Sequence, residues 1–90
     1  MNVGTFTPDG RSIVFSAMHA GQSHLWEMAV DAAAEPRQLT FGQGWEEFPD
    51  VSPDGRLVAF NVNFGTHELF AQPLSGGSAR RLTSSVQQLA

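Results

Sequence analysis

Ninety residues, 41% of them hydrophobic and only 16% charged, suffice for one small domain or for part of a larger one. Because an average soluble domain is roughly 25% charged, the deficit predicts that other protein covers part of the surface. Nine carboxylates against five arginines give a net charge of −4, which argues against a nucleic-acid partner, and the lack of cysteine excludes disulfides and cysteine-ligated zinc.

A repeat of about 45 residues extends through the chain. Its three blocks recur in the same order: Thr7–Phe15 as Ser52–Phe60, Leu25-Trp26 as Leu69-Phe70, and Arg37–Thr40 as Arg80–Thr83. Three ordered matches predict two structurally equivalent units.

The first unit is predicted to contain four strands. Pro-Asp-Gly is a tight-turn signal, since proline presets φ and glycine accepts φ > 0. A helix over Met28–Glu35 is the competing interpretation, because Ala32–Ala34 favours helix. We reject it, because the equivalent Gln72–Gly77 contains proline and two glycines. The predicted order is strand Asn2–Phe6, turn Pro8-Asp9-Gly10, strand Ser12–Ala17, loop His19–Ser23, strand His24–Val30, turn Asp31–Glu35 and a short strand ending at Thr40.

The second unit repeats this order after the connection Phe41–Phe48. Its predicted elements are strand Glu47–Val51, turn Pro53-Asp54-Gly55, strand Leu57–Val62, loop Asn63–His67, strand Glu68–Leu74, turn Ser75–Ser78 and a short strand ending at Thr83. Ile13, Phe15 and Ala17 fall on one strand face and Val14 on the other, and such apolar residues on both faces indicate strands that are covered on both sides.

The predicted fold is therefore all-β: a β-propeller fragment of two four-stranded antiparallel blades. Residues 1–40 form blade 1, whose inner strand is shortened at Met1. Residues 41–83 form the connection and blade 2, and residues 84–90 form a tail that is a candidate closing strand. Six side chains are expected to be largely buried: Phe15, Trp26, Leu39, Phe60, Phe70 and Leu82.

The repeated residues resemble the TolB-like Pro-Asp propeller repeat, a WD40-like family. The match covers about Asn2 to Thr83, with Ser52–Phe60 fitting almost position by position and both units ending in Leu-Thr. The resemblance implies that the strand before each Pro-Asp turn lies nearest the central channel. Pro49 occupies the place where the family usually has proline in that strand, whereas unit 1 has Gly4 there.

Function follows less directly from the resemblance than fold does. It implies a non-enzymatic module for protein–protein interaction or scaffolding, as in periplasmic TolB. The alternative is the propeller of a prolyl-oligopeptidase-like or tricorn-like peptidase whose catalytic domain is absent here. A third option is an excised or engineered repeat fragment. The residues do not determine the compartment, and the resemblance weakly favours the periplasm. Met1–Gly10 does not have the pattern of a signal peptide. No apolar run approaches the ~18 residues of a membrane span.

No catalytic, cofactor or metal site is predicted. Asp9 and Asp54 recur at equivalent turns, which favours a structural role; the structural turn residues are Pro8, Asp9, Gly10, Pro53, Asp54 and Gly55. Asp50–Gly55 opens like a calcium loop, but the bidentate Glu expected twelfth is Asn61. The only histidines are His19, His24 and His67; His19 and His24 lie five apart across a predicted turn, which is not a ligand spacing, and a lone histidine of this kind is interpreted as solvated.

Three aromatic residues in the connection, Phe41, Trp45 and Phe48, are candidate partner-binding residues. Trp45 has no counterpart in the repeat, so it could bind a partner or fill the groove between blades.

Assembly is predicted from geometry. Propellers close with about four to eight blades, so two blades leave two apolar faces uncovered. If these 90 residues are the whole molecule, we expect head-to-tail self-association into a ring, with three chains favoured over four. If they are an arbitrary excerpt, we expect aggregation or instability.

Overall fold

The computed structural model describes residues 4–31 and 34–83, which form eight β-strands. In chain order they are β1 (Gly4–Phe6), β2 (Ser12–His19), β3 (Gln22–Ala29), β4 (Arg37–Gln38), β5 (Trp45–Val51), β6 (Leu57–Asn63), β7 (His67–Pro73) and β8 (Arg80–Arg81).

The strands form two four-stranded sheets, β1-β2-β3-β4 (blade 1) and β5-β6-β7-β8 (blade 2). Every neighbouring pair is antiparallel, and each strand pairs with the next one along the chain. The predicted fold class, all-β with two four-stranded antiparallel blades, is confirmed. Residues 4–31 and 34–83 contain no helix, and β3 continues through Ala29 where a helix was rejected. Asn2, Val3 and the tail 84–90 lie outside the described residues.

The loop predicted at His19–Ser23 is shorter than expected. β2 continues to His19 and β3 begins at Gln22, which leaves Ala20 and Gly21 as a two-residue hairpin turn. Both have positive φ, 54° and 81°, and such turns match the right-handed twist of the strands they join. A hairpin with this turn needs no further loop residues.

The core lies between the blades and is built from opposite faces of equivalent strands. Blade 1 contributes Val14 and Leu25, both 0% exposed, and blade 2 contributes Val58, Phe60 and Val62. In the repeat Phe60 is equivalent to Phe15, not to Val14. The face of blade 2 that packs inwards is therefore equivalent to the face of blade 1 that points away from blade 2.

This stacking explains where the burial prediction is wrong. Leu39 and Phe60 are buried, but Phe15, Trp26 and Phe70 are only half-buried, and Leu82 is 48% exposed. Leu82 has the backbone position of Leu39, since its N–H bonds the Leu69 carbonyl as that of Leu39 bonds the Leu25 carbonyl. Blade 2 covers Leu39, whereas no described residue covers Leu82 in the same way.

Replacing Gly55 by valine is expected to lower the free energy of unfolding by roughly 1 kcal/mol or more. Gly55 has φ +75°, and a Cβ there would lie 3.7 Å from the Pro8 ring, an ordinary contact. The cost therefore comes from backbone strain and not from a clash. Urea denaturation measures it, and an unchanged midpoint would contradict the left-handed conformation. Gly10→Val, with φ +73° and nothing within 4 Å, is the matched control and should cost the same.

Candidate interaction surface

The Pro-Asp-Gly turns have the same hydrogen bonds in both blades. In blade 1 the Thr7 hydroxyl donates to Asp9 Oδ1 at 2.7 Å. The same Asp9 oxygen also accepts from the Arg11 N–H at 2.9 Å. The Gly10 N–H closes the turn onto the Thr7 carbonyl at 2.8 Å. Both oxygens of Thr7 and one carboxylate oxygen of Asp9 thus satisfy the backbone and side-chain donors of this turn.

Blade 2 repeats the arrangement with Ser52 in place of threonine. Its hydroxyl donates to Asp54 Oδ1 at 2.7 Å, and the Arg56 N–H donates to the same oxygen at 3.1 Å. These hydrogen bonds hold the pKa of Asp9 and the pKa of Asp54 below their usual value. The hydroxyl of Thr7 or Ser52 has the larger effect, and the backbone N–H of Arg11 or Arg56 has the next largest. Each aspartate is committed to its own turn, which supports the structural role proposed for it.

We expect the chain to lose stability in acid through these two turns. A carboxyl whose pKa is lower in the folded than in the unfolded state stabilises the fold at pH values above the unfolded pKa. That contribution disappears as the pH falls from about 5 through the folded pKa. The melting temperature should therefore fall as the pH is lowered through this window. It should fall less steeply in the Asp9→Asn/Asp54→Asn variant, whose amides keep an acceptor oxygen but do not titrate. The same dependence of melting temperature on pH in both proteins would contradict the prediction.

A buried polar cluster joins blade 1 to the start of blade 2. Glu46 in β5 is 4% exposed, and its Oε1 lies 2.6 Å from His24 Nδ1 and accepts from the Thr40 hydroxyl at 2.6 Å. Its Oε2 accepts from the Gly42 N–H at 3.1 Å. The Thr40 oxygen also accepts from the Leu25 N–H at 2.8 Å, so the cluster is anchored in β3.

The interpretation of all three histidines as solvated is wrong for His24. It lies within β3 and is buried against Glu46, because the chain crosses to blade 2 directly over this strand. His19 is exposed, with its ring 5.6 Å from that of Trp26 in an edge-on arrangement, and His67 Nδ1 lies 3.1 Å from Asn61 Nδ2. Across residues 4–31 and 34–83, no three His, Asp or Glu side chains are grouped as metal ligands.

Two further hydrogen-bonded links cross the interface between the blades. Gln72 in β7 donates through Nε2 to the Leu39 carbonyl at 2.8 Å. Arg37 in β4 donates to the Leu74 carbonyl at 3.2 Å and also pairs with Glu27 of its own blade at 2.6 Å. Both links are made to main-chain carbonyls, so they depend on backbone position and not on the identity of the residue that accepts.

A pocket of about 330 Å³ opens between the blades beside these links. Its lining is largely apolar, and the polar side chains in it are those of Thr40, Glu46, Gln72 and Ser78. Gly44 lets the backbone pass close to Val62 and Phe64 at one wall of the pocket, because a Cβ there would collide with both side chains. The residues that line the pocket include Leu39, Phe41, Phe60, Val62, Phe64 and Phe70.

The three candidate partner-binding aromatics lie at separate places. Phe41, 74% exposed, lies at the pocket, whereas Trp45 and Phe48 do not line it. Trp45 begins β5 opposite Asn63. Phe48 lies in a β-bulge between Glu47 and Asp50 with φ 58°. A left-handed conformation is costly for a bulky residue and tends to occur at functional sites.

Sequence reasoning did not identify Glu46 or the pocket. Glu46 lies in the connection and has no counterpart among the three repeated blocks, so the repeat gave no reason to pair it with His24. The one available signal was Thr40 and Thr83, since a polar residue kept at the end of both units indicates a shared hydrogen-bonding role.

Comparison with known proteins bears on the family. The chain is 37% identical over 80 residues to the Tol-Pal system protein TolB of Anaeromyxobacter dehalogenans and 33% identical over 81 residues to an uncharacterised protein of Agrobacterium fabrum. Its fold matches a TolB-like protein of Agrobacterium tumefaciens with a TM-score of 0.80 at 31% identity, and TolB of Acinetobacter baumannii with 0.79 at 25%. The chain resembles part of TolB. No family model matches it.

These matches cover most of this chain and a minor part of each relative. The alignments include 86% of this chain and 18% of the Anaeromyxobacter TolB, and 89% of this chain and 27% of the Agrobacterium fabrum protein. The structural matches likewise span 29% and 21% of the two solved chains. In the part of the chain that the structure describes, no helix has the length and apolarity needed to cross a bilayer.

Proposed function

We propose that this chain is a non-enzymatic, TolB-like protein-interaction module and that, if the 90 residues are the whole molecule, its two blades form a propeller ring with blades of further copies. Three chains, giving six blades, is the favoured ring. The likeness to TolB and to the TolB-like structure supports this class of function and a periplasmic location. The alternative peptidase propeller is not favoured, since the relatives with an assigned name are Tol-Pal system proteins.

The observation that carries the self-association is a face on each side of the blade pair that none of residues 4–31 and 34–83 covers. The outer face of blade 1 is the side of β1, β2 and β3 that points away from blade 2. The outer face of blade 2 is the side of β6, β7 and β8 that points away from blade 1. The first contains Phe6, Ile13, Phe15, Trp26 and Met28, and the second contains Leu57, Ala59, Leu69, Ala71 and Leu82.

Each outer face is equivalent in the repeat to a face that is already buried. The Phe15 side of blade 1 is equivalent to the Phe60 side of blade 2, and the Ala59 side of blade 2 is equivalent to the Val14 side of blade 1. Those two buried sides pack against each other here. The two outer faces are therefore complementary to each other, head to tail, and such contacts close into a ring when the rotation permits.

The exposed aromatics are the proposed contacts for a different protein. Phe41 and Trp45 belong to the connection between blades, and Phe48 is exposed in the bulge of β5. Aromatic side chains supply much of the binding energy in protein interfaces. We propose these three as partner-binding residues at the rim and channel of the completed ring.

Light scattering coupled to size exclusion tests the ring. We expect a mass of three times the 9.7 kDa of one chain. Phe6→Asp should dissociate the ring, because Phe6 is on the outer face of blade 1. Phe64→Asp is the matched control, since Phe64 is equally exposed, 60%, but lies in the β6–β7 loop. A wild-type monomer at every concentration would overturn self-association, and an open polydisperse series would overturn the closed ring.

A further inference from the structure

The pocket between the blades contains a buried amide whose oxygen has no hydrogen-bond partner. Gln72 is 3% exposed and lines the pocket. Its Nε2 donates to the Leu39 carbonyl at 2.8 Å, and because a carbonyl only accepts, this bond fixes which atom of the amide is the oxygen. Among residues 4–31 and 34–83 no group donates to Oε1. The pocket therefore contains an acceptor for which these residues supply no donor.

This oxygen is accessible. In the described part of the chain, the one buried side-chain polar atom that is both enclosed and without a hydrogen bond is Trp26 Nε1. Gln72 Oε1 has no hydrogen bond but is not enclosed, so it adjoins open space, and the open space beside Gln72 is the pocket. A donor that enters the pocket can therefore reach this oxygen.

The other buried polar side chains of the pocket are used within the fold. Glu46 accepts from the Thr40 hydroxyl at 2.6 Å and from the Gly42 N–H at 3.1 Å. The Thr40 oxygen in turn accepts from the Leu25 N–H at 2.8 Å. These bonds hold the connection between the blades in place. Gln72 is therefore the buried side chain whose hydrogen-bonding capacity is left for a ligand.

The size and lining of the pocket suit a fused aromatic ring. A cavity of ~150 Å³ holds benzene, so one of about 330 Å³ has room for two fused rings. Phe60, Phe64 and Phe70 lie in its walls, and aromatic rings pack favourably on one another face to edge or offset. Indole combines a fused ring with a single N–H donor and no acceptor nitrogen. It therefore matches both the apolar walls and the free amide oxygen.

We propose that the pocket binds the tryptophan side chain of a partner protein, with the indole N–H donating to Gln72 Oε1. This inference rests on the proposed protein-interaction function and identifies the partner's anchor residue. Phe41 and Phe64, which are 74% and 60% exposed, extend the apolar lining to the surface, so contact continues along the chain that carries the ring. Tryptophan is among the residues most enriched as anchors of interfaces. Both blades around the pocket belong to one chain, so binding does not depend on the proposed ring.

Nuclear magnetic resonance on the isotope-labelled 90-residue chain tests the contact. The probe is N-acetyltryptophanamide, an uncharged capped tryptophan, and its control is the benzothiophene analogue, in which sulfur replaces the N–H. We expect saturable shifts of the pocket signals, including the side-chain amide of Gln72, with a dissociation constant of about 0.1–1 mM. The benzothiophene analogue should bind about tenfold more weakly, because it cannot donate to the amide oxygen.

Gln72→Met tests the acceptor. Methionine suits the strand at this position, since Met28 lies opposite Ile13 in blade 1 as Gln72 lies opposite Val58 in blade 2. We expect the tenfold preference for indole over benzothiophene to fall to within about twofold in this variant. A role of Gln72 in structure alone would weaken both ligands equally, and an unchanged preference would overturn Oε1 as the acceptor.

Phe64→Ala tests the pocket as the place of binding. It removes an exposed wall and leaves the core in place, and we expect N-acetyltryptophanamide to bind about fivefold more weakly. Met18→Ala is the matched control, because Met18 is similarly exposed, 58%, and is not among the residues that line the pocket. Equal dissociation constants in the two variants would overturn the site.

Further outcomes separate the possible occupants and this inference from the proposed function. Free tryptophan that binds as tightly as the capped form would assign the pocket to a small molecule, and dissociation of the associated chains by the probe would assign it to Trp45 of a second copy. Either result would overturn the partner side chain. No saturable binding would overturn the pocket and leave the proposed ring intact, whereas a monomeric chain that binds the probe would overturn the ring and support the pocket.

Discussion

Replacing Phe60 by alanine is expected to lower the free energy of unfolding by about 3–5 kcal/mol. Phe60 is 1% exposed, belongs to the core cluster between the blades and stacks on Phe70 with a centroid distance of 6.2 Å. Since domains of this size are stable by only about 5–15 kcal/mol, the loss is a large fraction of the total. A fall in the urea midpoint at unchanged slope measures it.

Phe64→Ala is the control for that prediction, because it removes the same ring from an exposed position in the β6–β7 loop. We expect a loss below about 1 kcal/mol. Equal losses in the two variants would show that the interface between the blades does not contribute the main core.

Replacing Glu46 by alanine is the second large effect, about 3 kcal/mol or more. The change leaves His24, the Thr40 hydroxyl and the Gly42 N–H without their shared acceptor, and each buried group left without its hydrogen bond costs about 1–3 kcal/mol. Urea denaturation measures the loss. Glu46→Gln keeps one acceptor oxygen and should cost less.

Glu47→Ala is the matched control at the adjacent position of β5, where the side chain is only half-buried. A loss within about 0.5 kcal/mol is expected there. If Glu46→Ala cost no more than Glu47→Ala, the cluster would not contribute to the connection between the blades.

Much of the fold could be predicted from the repeat. The Pro-Asp-Gly motif predicted the position of both turns. Composition alone favours a helix at Met28–Glu35, but the proline and glycines at the equivalent place in the second unit argued against it. These features are local, because a turn depends on a few neighbouring residues and equivalent units share a conformation. Chain-order pairing of the strands followed from the same short connections.

Features that join the two blades could not be predicted in this way. Leu82 was expected to be buried because Leu39 is, but equivalence within the repeat does not include the neighbour that covers a residue. Glu46 and His24 are 22 residues apart, and nothing in their spacing indicates that the crossing strand brings them together.

Three of the four edge strands of the described sheets are poor templates for aggregation. β4 and β8, one edge strand of each sheet, have two residues each and contain Arg37, Arg80 and Arg81. β5, the other edge strand of blade 2, is interrupted by Pro49 and by the bulge at Phe48. Short length, charge, proline and bulges each hinder the addition of a foreign strand. The chain can therefore expose its sheet faces to a neighbour without recruiting other chains along its edges into fibrils.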